Sequence, residues 1–530
     1  MRTNLFAKVT IIISIIAISC NHAGTNHYES QKEDLVRSVA ATDSTREAVM
    51  KDQATDFNTE EYGTIVENEF LAAKQNPLST FSIDVDPAAY SNVRRFIQNG
   101  SLPPAGAVRI EEMINYFDYD YAPPKNDDPF AVYTEMGACP WNQKHRLIQI
   151  GLKGKEIEKD KLPPANLVFL IDVSGSMQEY NKLPLVKTSL QLLTDQLREQ
   201  DKVSIVVYAG SAGLVLPPTS GAQKNKIKDA IDRLEAGGST AGAQGIQLAY
   251  DVARQNFSKE GNNRVILATD GDFNVGMSSD DELVRLIENE RKSNVYLTVL
   301  GFGMGNYKDN KMEQLADKGN GNHAYIDNEN EAKKVFVNEF GGTLFTIAKD
   351  VKLQVEFNPV KVQSYRLIGY ENRMLAKEDF NNDKKDAGEL GAGHRVTALY
   401  EIIPVGVSDE FTKSVDPLKY QATITGNSNS NSDEVMTIKL RYKKPDEDVS
   451  KLIVHPVADE QKELGSMSDN YRFAASVASF GMLLRNSEFK GTSDYKKVEM
   501  LAKTAVGEDK NGYRKEFIEL VDQAALLAKK

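Results

Sequence analysis

Between about residue 165 and residue 350, short unbroken apolar runs alternate with amphipathic stretches, and that alternation leaves few folds open. Leu167-Val168-Phe169-Leu170-Ile171 contains no polar residue, so it reads as a strand buried on both faces. Pro184 opens a helix whose Val186, Leu190, Leu193 and Leu197 share one face. Further strands are expected at 203–208, 265–268 and 295–299, and further helices at 224–234, 280–292, 310–317 and 331–348. Strands alternating with helices predict an α/β domain with a doubly wound, mostly parallel sheet. Ligands of such sheets bind beyond the carboxyl ends of the strands.

The residues at those ends carry chemistry. The first strand runs into Asp172-Val173-Ser174-Gly175-Ser176, and the run at 265–268 continues as Thr269-Asp270-Gly271-Asp272. Between them, opening a helix, lies Gly237-Gly238-Ser239-Thr240-Ala241-Gly242. Hydroxyls and carboxylates are hard oxygen donors, and no histidine or thiol joins them. Such a set suits Mg²⁺ (or Mn²⁺).

These loops resemble the metal-ion-dependent adhesion site of the von Willebrand factor A-type domain, a Rossmann-like fold. Asp172, Ser174, Ser176, Thr240 and Asp270 each match a residue of that site. The resemblance implies that both serines and Thr240 bind the metal directly, while Asp172 and Asp270 act mostly through water. It also implies that the metal accepts an acidic side chain from a protein partner. It covers about residues 163–350. Nearby patterns fail on inspection. Asp270-x-Asp272-x-Asn274 has Val275 where a calcium loop needs glycine, and Asp379-x-Asn381-x-Asp383 has Lys384 there. Gly301-Phe302-Gly303-Met304-Gly305 spaces its glycines wrongly for a dinucleotide, and no Walker A sequence occurs, so no nucleotide is expected.

The flanks read as structured. Residues 77–123 form a module with a helix whose Ile110, Met113, Ile114 and Phe117 share a face. This module resembles the one preceding the A-type domain in a bacterial family of envelope lipoproteins. Asp84 and Asp86 alternate onto one face of a strand, where a solvated face or a helix cap suits them better than a metal. Residues 124–162 and 351–460 are rich in strands, as in Val351-x-Leu353-x-Val355-x-Phe357. They are expected to pair into one antiparallel sandwich with the A-type domain inserted, separate small sheets being the alternative. Residues 461–530 return to helix, with apolar stripes Phe473, Val477, Phe480, Leu484 and Phe517, Leu520, Val521, Ala524. This tail resembles the same bacterial family, which extends the likeness over about residues 77–530.

The N-terminus suggests an address. In residues 1–20, Arg2 and Lys8 precede an apolar run from Val9 to Ile18 that ends at Ser19-Cys20. Ten helical residues rise about 15 Å, half of a bilayer core, so a spanning anchor is not expected. The segment resembles a bacterial lipoprotein signal, although Ala17 stands where Leu is usual; an ordinary secretory signal is the alternative. The resemblance implies lipidation of Cys20. Residues 21–76 are polar and acidic and read as a flexible tether. The expected location is therefore the bacterial cell envelope, lipid-anchored, at the outer membrane on its periplasmic or surface face. Cys139, the other of two cysteines, is then expected as a small buried hydrophobe.

The 530 residues carry 64 Lys+Arg against 76 Asp+Glu, a net charge of −12 that argues against a nucleic-acid partner. Metal-assisted hydrolysis would need a general base beside the metal. The six histidines form no His-Glu-x-x-His pattern, and Ser174 and Ser176 are better explained as ligands than as nucleophiles. The expectation is a non-enzymatic, lipid-tethered binding module that captures a protein ligand presenting Asp or Glu. A scaffold assembling an envelope complex is the alternative.

Overall fold

The computed structural model describes residues 58–530 apart from 126–127, 239–241, 272–279, 340–344, 386, 413–431, 446 and 530. Cys20, Thr240 and residues 1–57 lie outside the described residues.

Residues 58–76, expected as the end of a tether, instead pack on the later parts of the chain. Phe70 and Ala73 are buried, and strand β1 (Leu71–Ala72) pairs antiparallel with Tyr365 and Ser364. A polar average over the whole segment hid this short apolar patch. Next come strand β2 (Leu78–Ser82), helix α1 (Ala88–Gln98) and the short helix α2 (Ile110–Asn115). Strands β3 (Phe130–Ala138) and β4 (Arg146–Gly154) then form an antiparallel pair.

The α/β unit follows as β5 (Ala165–Asp172), α3 (Leu183–Gln196), β6 (Lys202–Tyr208), β7 (Ala212–Ser220), α4 (Lys224–Asp232), α5 (Gly242–Gln255), β8 (Asn262–Thr269), α6 (Asp280–Arg291), β9 (Tyr296–Phe302), α7 (Asp309–Lys318), β10 (His323–Ile326) and α8 (Glu329–Lys333). Its sheet has the order β10-β9-β8-β5-β6-β7. All pairings are parallel except that of the edge strand β7. The chain moves from β5 to β6 on one side and returns to β8 on the other, so the direction of winding reverses beside β5. Leu167, Phe169 and Ile171 face one apolar layer and Val168 and Leu170 the other. Two features differ from expectation. Strand β7, with Pro217 and Pro218, was not expected, and an edge position tolerates their missing N–H groups. The helix expected over 331–348 ends in a π turn at 334–338, and Thr346 already belongs to a strand.

The remaining strands are β11 (Thr346–Phe357), β12 (Val362–Ile368), β13 (Gly388–Gly391), β14 (Arg395–Pro404), β15 (Glu434–Lys443) and β16 (Lys451–Ala458). They build two antiparallel sheets, one ordered β1-β12-β14-β4-β3 and one ordered β13-β11-β15-β16, with β2 also on β11. Strand β4 precedes the α/β unit and β14 follows it, yet they pair in register, Ile150 opposite Ala398 and Ile148 opposite Tyr400. The α/β unit is thus an insertion in a sandwich whose inner faces share one core, including Ile148, Leu152, Leu353, Val355 and Ile438. Three helices close the chain: α9 (Asp469–Arg485), α10 (Tyr495–Lys503) and α11 (Tyr513–Leu527). The α2 stripe packs on them, and Phe117, Phe473, Phe480 and Phe517 meet edge-to-face. Cys139 is buried in the same layer. Among the described residues no helix is long and apolar enough to cross a membrane.

Buried ions hold the N-terminal module to the α/β unit. Arg94 on α1 reaches Asp327 with two nitrogens (2.8 and 2.5 Å), and also Glu331 (2.8 Å) and Glu516 of α11 (2.9 Å). Arg109 binds Asp309 (2.9 Å) and Glu313 of α7, and Arg373 binds Glu313 (3.0 Å) and Asp317 (2.5 Å). Asp84 and Asp86 belong to this seam and form neither a solvated face nor a helix cap. Asp86 is buried and accepts the His323 N–H at 2.8 Å, while α1 begins after Pro87 with no side-chain cap.

Burial pushes the Asp84 carboxyl up to about 7, with Asp317 and Glu313 adding to the rise and Arg373 opposing it. A carboxyl raised in the folded state contributes stability below its unfolded value of about 3.8 that is lost as pH rises through about 7. Asp84→Asn, which mimics the protonated acid, should therefore raise stability at pH 8 by on the order of 2 kcal/mol and change it little at pH 4. Urea unfolding at the two pH values measures this.

Candidate metal centre

The centre forms where β5 and β8 end side by side. Asp172, the last residue of β5, has no exposed surface, and neither has Asp270, which follows β8. The Asp172 carboxylate is fixed by three donors. Oδ1 accepts the Ser174 N–H at 2.9 Å, and Oδ2 accepts the Tyr208 hydroxyl at 3.1 Å and the Thr269 hydroxyl at 3.3 Å. The first bond folds the chain over its own aspartate, a local turn that Asp favours two residues before an N–H. That turn aligns the serines: Ser174 Oγ stands 3.0 Å from Ser176 Oγ, with Ser174 buried and Ser176 exposed.

The glycine loop is laid against this turn by its backbone. Gly237 N–H donates to Val173 O at 2.7 Å, and Gly175 N–H donates to Gly238 O at 3.1 Å. The loop carrying Thr240 therefore starts beside the serines, although Thr240 itself is outside the described residues. Asp172, Ser174, Ser176 and Asp270 are brought together at the ends of neighbouring strands.

Burial pushes the Asp172 carboxyl up to about 6; the nearby Asp270 charge adds to the rise, and the hydrogen bonds from Ser174 and Tyr208 oppose it. Two carboxylates are buried here, and the Lys182 ammonium pairs with Asp270. The hydroxyls of buried Ser174 and exposed Ser176 lie beside them, and among the described residues no soft donor joins. This all-oxygen set fits a hard divalent cation. Among the described residues no three His, Cys, Asp or Glu side chains gather with metal-holding geometry.

Four features of the centre escaped the sequence reading. Tyr208 looked like the end of a strand, and Thr269 like a spacer. Lys182, just before α3, sends its side chain inward so that Nζ donates to Asp270 Oδ2 at 3.0 Å. Only the invariable cost of burying a lysine could have flagged it, and burial is invisible in the sequence. The fourth feature is the loop at 303–308, which floors Asp270. Gly271 has φ +103°, and a Cβ there would lie 2.6 Å from Tyr307 Cα, so both space and backbone demand glycine. The N-terminal strap holds this loop: Thr59 N–H donates to Gly305 O at 2.7 Å, Glu61 N–H to Tyr307 O at 3.1 Å, and Gly305 N–H to Glu60 Oε1 at 2.9 Å.

Two of the described histidines are engaged elsewhere. His145 sits between Glu401 (2.5 Å) and Asp409 (3.0 Å) under the sandwich, and His323 meets the Tyr307 hydroxyl at 2.7 Å.

Tyr208→Phe should leave Asp172 one donor short at a buried position and cost roughly 1–3 kcal/mol of stability, read by urea unfolding.

Comparison with known proteins agrees with this architecture. The family model for the von Willebrand factor type A domain matches residues 166–338, one for von Willebrand factor matches 56–149, and one for the YfbK C-terminal region matches 342–527. The chain is 43% identical to the YfbK protein of Escherichia coli over 473 residues, covering 88% of this chain and 81% of that protein. It is 30% identical over 193 residues to protein sll0103 of Synechocystis, covering 36% of this chain and 44% of that one. A solved von Willebrand factor type A protein from Catenulispora acidiphila matches 75% of this chain and 91% of its own, with 15% identity and a TM-score of 0.41.

Proposed function

This chain belongs to the bacterial family of von Willebrand factor type A domain proteins that includes Escherichia coli YfbK, and from that premise we propose that it is an envelope-anchored module that binds a partner's acidic side chain through a divalent metal. The domain is of a kind that serves protein interaction and adhesion. The metal-dependent reading rests on one observation: two hydroxyls 3.0 Å apart, one of them exposed, stand over a pair of fully buried carboxylates.

Ser174, Ser176 and Thr240 are the direct ligands in this reading, and Asp172 and Asp270 hold the outer sphere. Asp172 already accepts three hydrogen bonds, so it is better placed to orient than to give up its oxygens to a metal. When bound, Mg²⁺ (or Mn²⁺) supplies an electrophilic position that a carboxylate can fill. The rim offers contact surface beyond that single bond. Tyr180, four residues after Ser176, is 83% exposed, and an exposed aromatic is the residue type enriched at protein interfaces. In this scheme Ser174 and Ser176 act as metal ligands rather than as nucleophiles, and the module works by binding.

The anchor is proposed from Cys20 and the apolar run before it, with the bacterial outer membrane as the location. The strap places the start of the described chain against the loop that floors the metal centre.

Two experiments test the reading. Mg²⁺ titrated into the full chain by calorimetry should bind at one site, and Ser174→Ala should weaken it at least about tenfold while the circular dichroism spectrum stays unchanged; unaltered binding in that variant overturns the assignment. Cys20→Ser should move the protein from the membrane to the soluble fraction of cells producing it, and continued membrane fractionation overturns the lipid anchor.

A further inference from the structure

A lysine is an expensive residue to bury beside a metal centre, and this one is built in with care. Lys182 lies immediately before α3, and its side chain is 6% exposed. Its stem crosses Gly303, just after β9, where a Cβ would overlap the lysine's methylenes; Gly303 itself has φ +75°. The chain thus gives up a side chain at 303 and accepts a left-handed backbone there, and the lysine occupies the space left over. At the far end the ammonium donates to Asp270 Oδ2 at 3.0 Å. Three elements of the α/β unit meet through it: the start of α3 and the ends of β8 and β9.

A buried ammonium loses several kcal/mol of hydration, which only close pairing offsets. Its partner could have been any carboxylate, and tying α3 to β8 needs only an apolar side chain. The charge is therefore the property to explain. Asp172 and Asp270 give the centre two negative charges, and Lys182 brings it to one. It also engages one of the two Asp270 oxygens, so less of that carboxylate is left for a cation.

We propose that Lys182 is a tethered counter-cation that weakens the hold of Asp270 on a divalent metal, so that the metal keeps its charge for an incoming carboxylate. The idea rests on the metal-binding reading above. An acidic centre of two uncompensated carboxylates would bind a divalent ion tightly and quench it. Offsetting one charge gives weaker binding and a more electrophilic ion. Lys182 touches neither the metal nor the ligand in this scheme; it is a positioning residue that acts through Asp270.

The test is the sign of a change in metal affinity. Mn²⁺ and Mg²⁺ are titrated separately into the full wild-type chain, Lys182→Met and Lys182→Gln, by calorimetry. Both neutral variants should bind each ion at least about tenfold more tightly than wild type, because a unit charge a few Å from a buried site is worth that much or more. A lysine that merely props the loops would give the opposite result, since its loss would loosen the centre and weaken binding. Lys182→Gln keeps a hydrogen-bond donor at reduced length and reports if Lys182→Met unfolds. Equal or weaker binding in the neutral variants, with wild-type binding present and sensitive to Ser174→Ala, overturns this inference alone. Binding in neither wild type nor the variants overturns the metal reading and this inference with it. Binding in the neutral variants but not in wild type overturns the proposal as well, because the wild-type centre would then hold no metal for a carboxylate to meet.

Discussion

Strand β5 divides its side chains between two apolar layers and then ends on a carboxylate with no exposed surface, and much else in the molecule answers to that one placement. Alternate burial fixes the strand's register, because a slip of one residue would exchange its faces. With the register fixed, Asp172 has nowhere to go but under the turn that follows. A buried carboxylate must be satisfied, and the donors come from three directions: the next turn, the end of β6 and the end of β8. One of the hydrogen bonds that offset this burial, from the Ser174 N–H, also folds the turn that sets Ser174 and Ser176 side by side. Stability and chemistry are not separate layers of this design.

The same logic explains what could be read from the sequence. The apolar runs at 167–171 and 265–268 and the polar residues after each are local signals, and they single out Asp172, Ser174, Ser176 and Asp270 without any knowledge of neighbours. The sheet class follows from the period of the runs. Tyr208 and Lys182 were out of reach because each reaches a residue 36 or 88 positions away, and nothing in their local sequence marks them. Asp84 and Asp86 looked like surface groups because aspartates usually are; the arginines that allow them inside lie on other elements. The strap failed for another reason. Several of its polar residues are matched, Glu60 with Arg95 at 2.8 and 2.9 Å and Asn68 with the Gly369 carbonyl at 2.8 Å for example, and composition cannot distinguish a matched polar residue from a solvated one. Helix α10 carries too short an apolar stripe, chiefly Val498 and Ala502, to stand out.

The three parts of the described chain differ in how they cohere. The sandwich closes by strand pairing across the inserted unit, β4 on β14, and the helical layer closes by aromatic packing around Phe517. The seam between the N-terminal module and the α/β unit is held instead by guanidinium groups, each shared among several carboxylates. Apolar contact tolerates sliding, whereas a planar group meeting carboxylates at fixed angles does not. Such a seam adds little net stability for its cost in desolvation. Its value lies in orientation: Arg94 sets α1 against the start of α8, and Arg109 sets the start of α2 against α7.

Orientation matters because the loop at 303–308 is shared. On one side it carries the stem of Lys182 over Gly303 and the backbone of Tyr307 beneath Gly271. On the other it pairs with Thr59 and Glu61 at the start of the described chain. The loop beside Asp270 is therefore held from both faces, by the residues of the candidate centre and by Thr59 to Glu61.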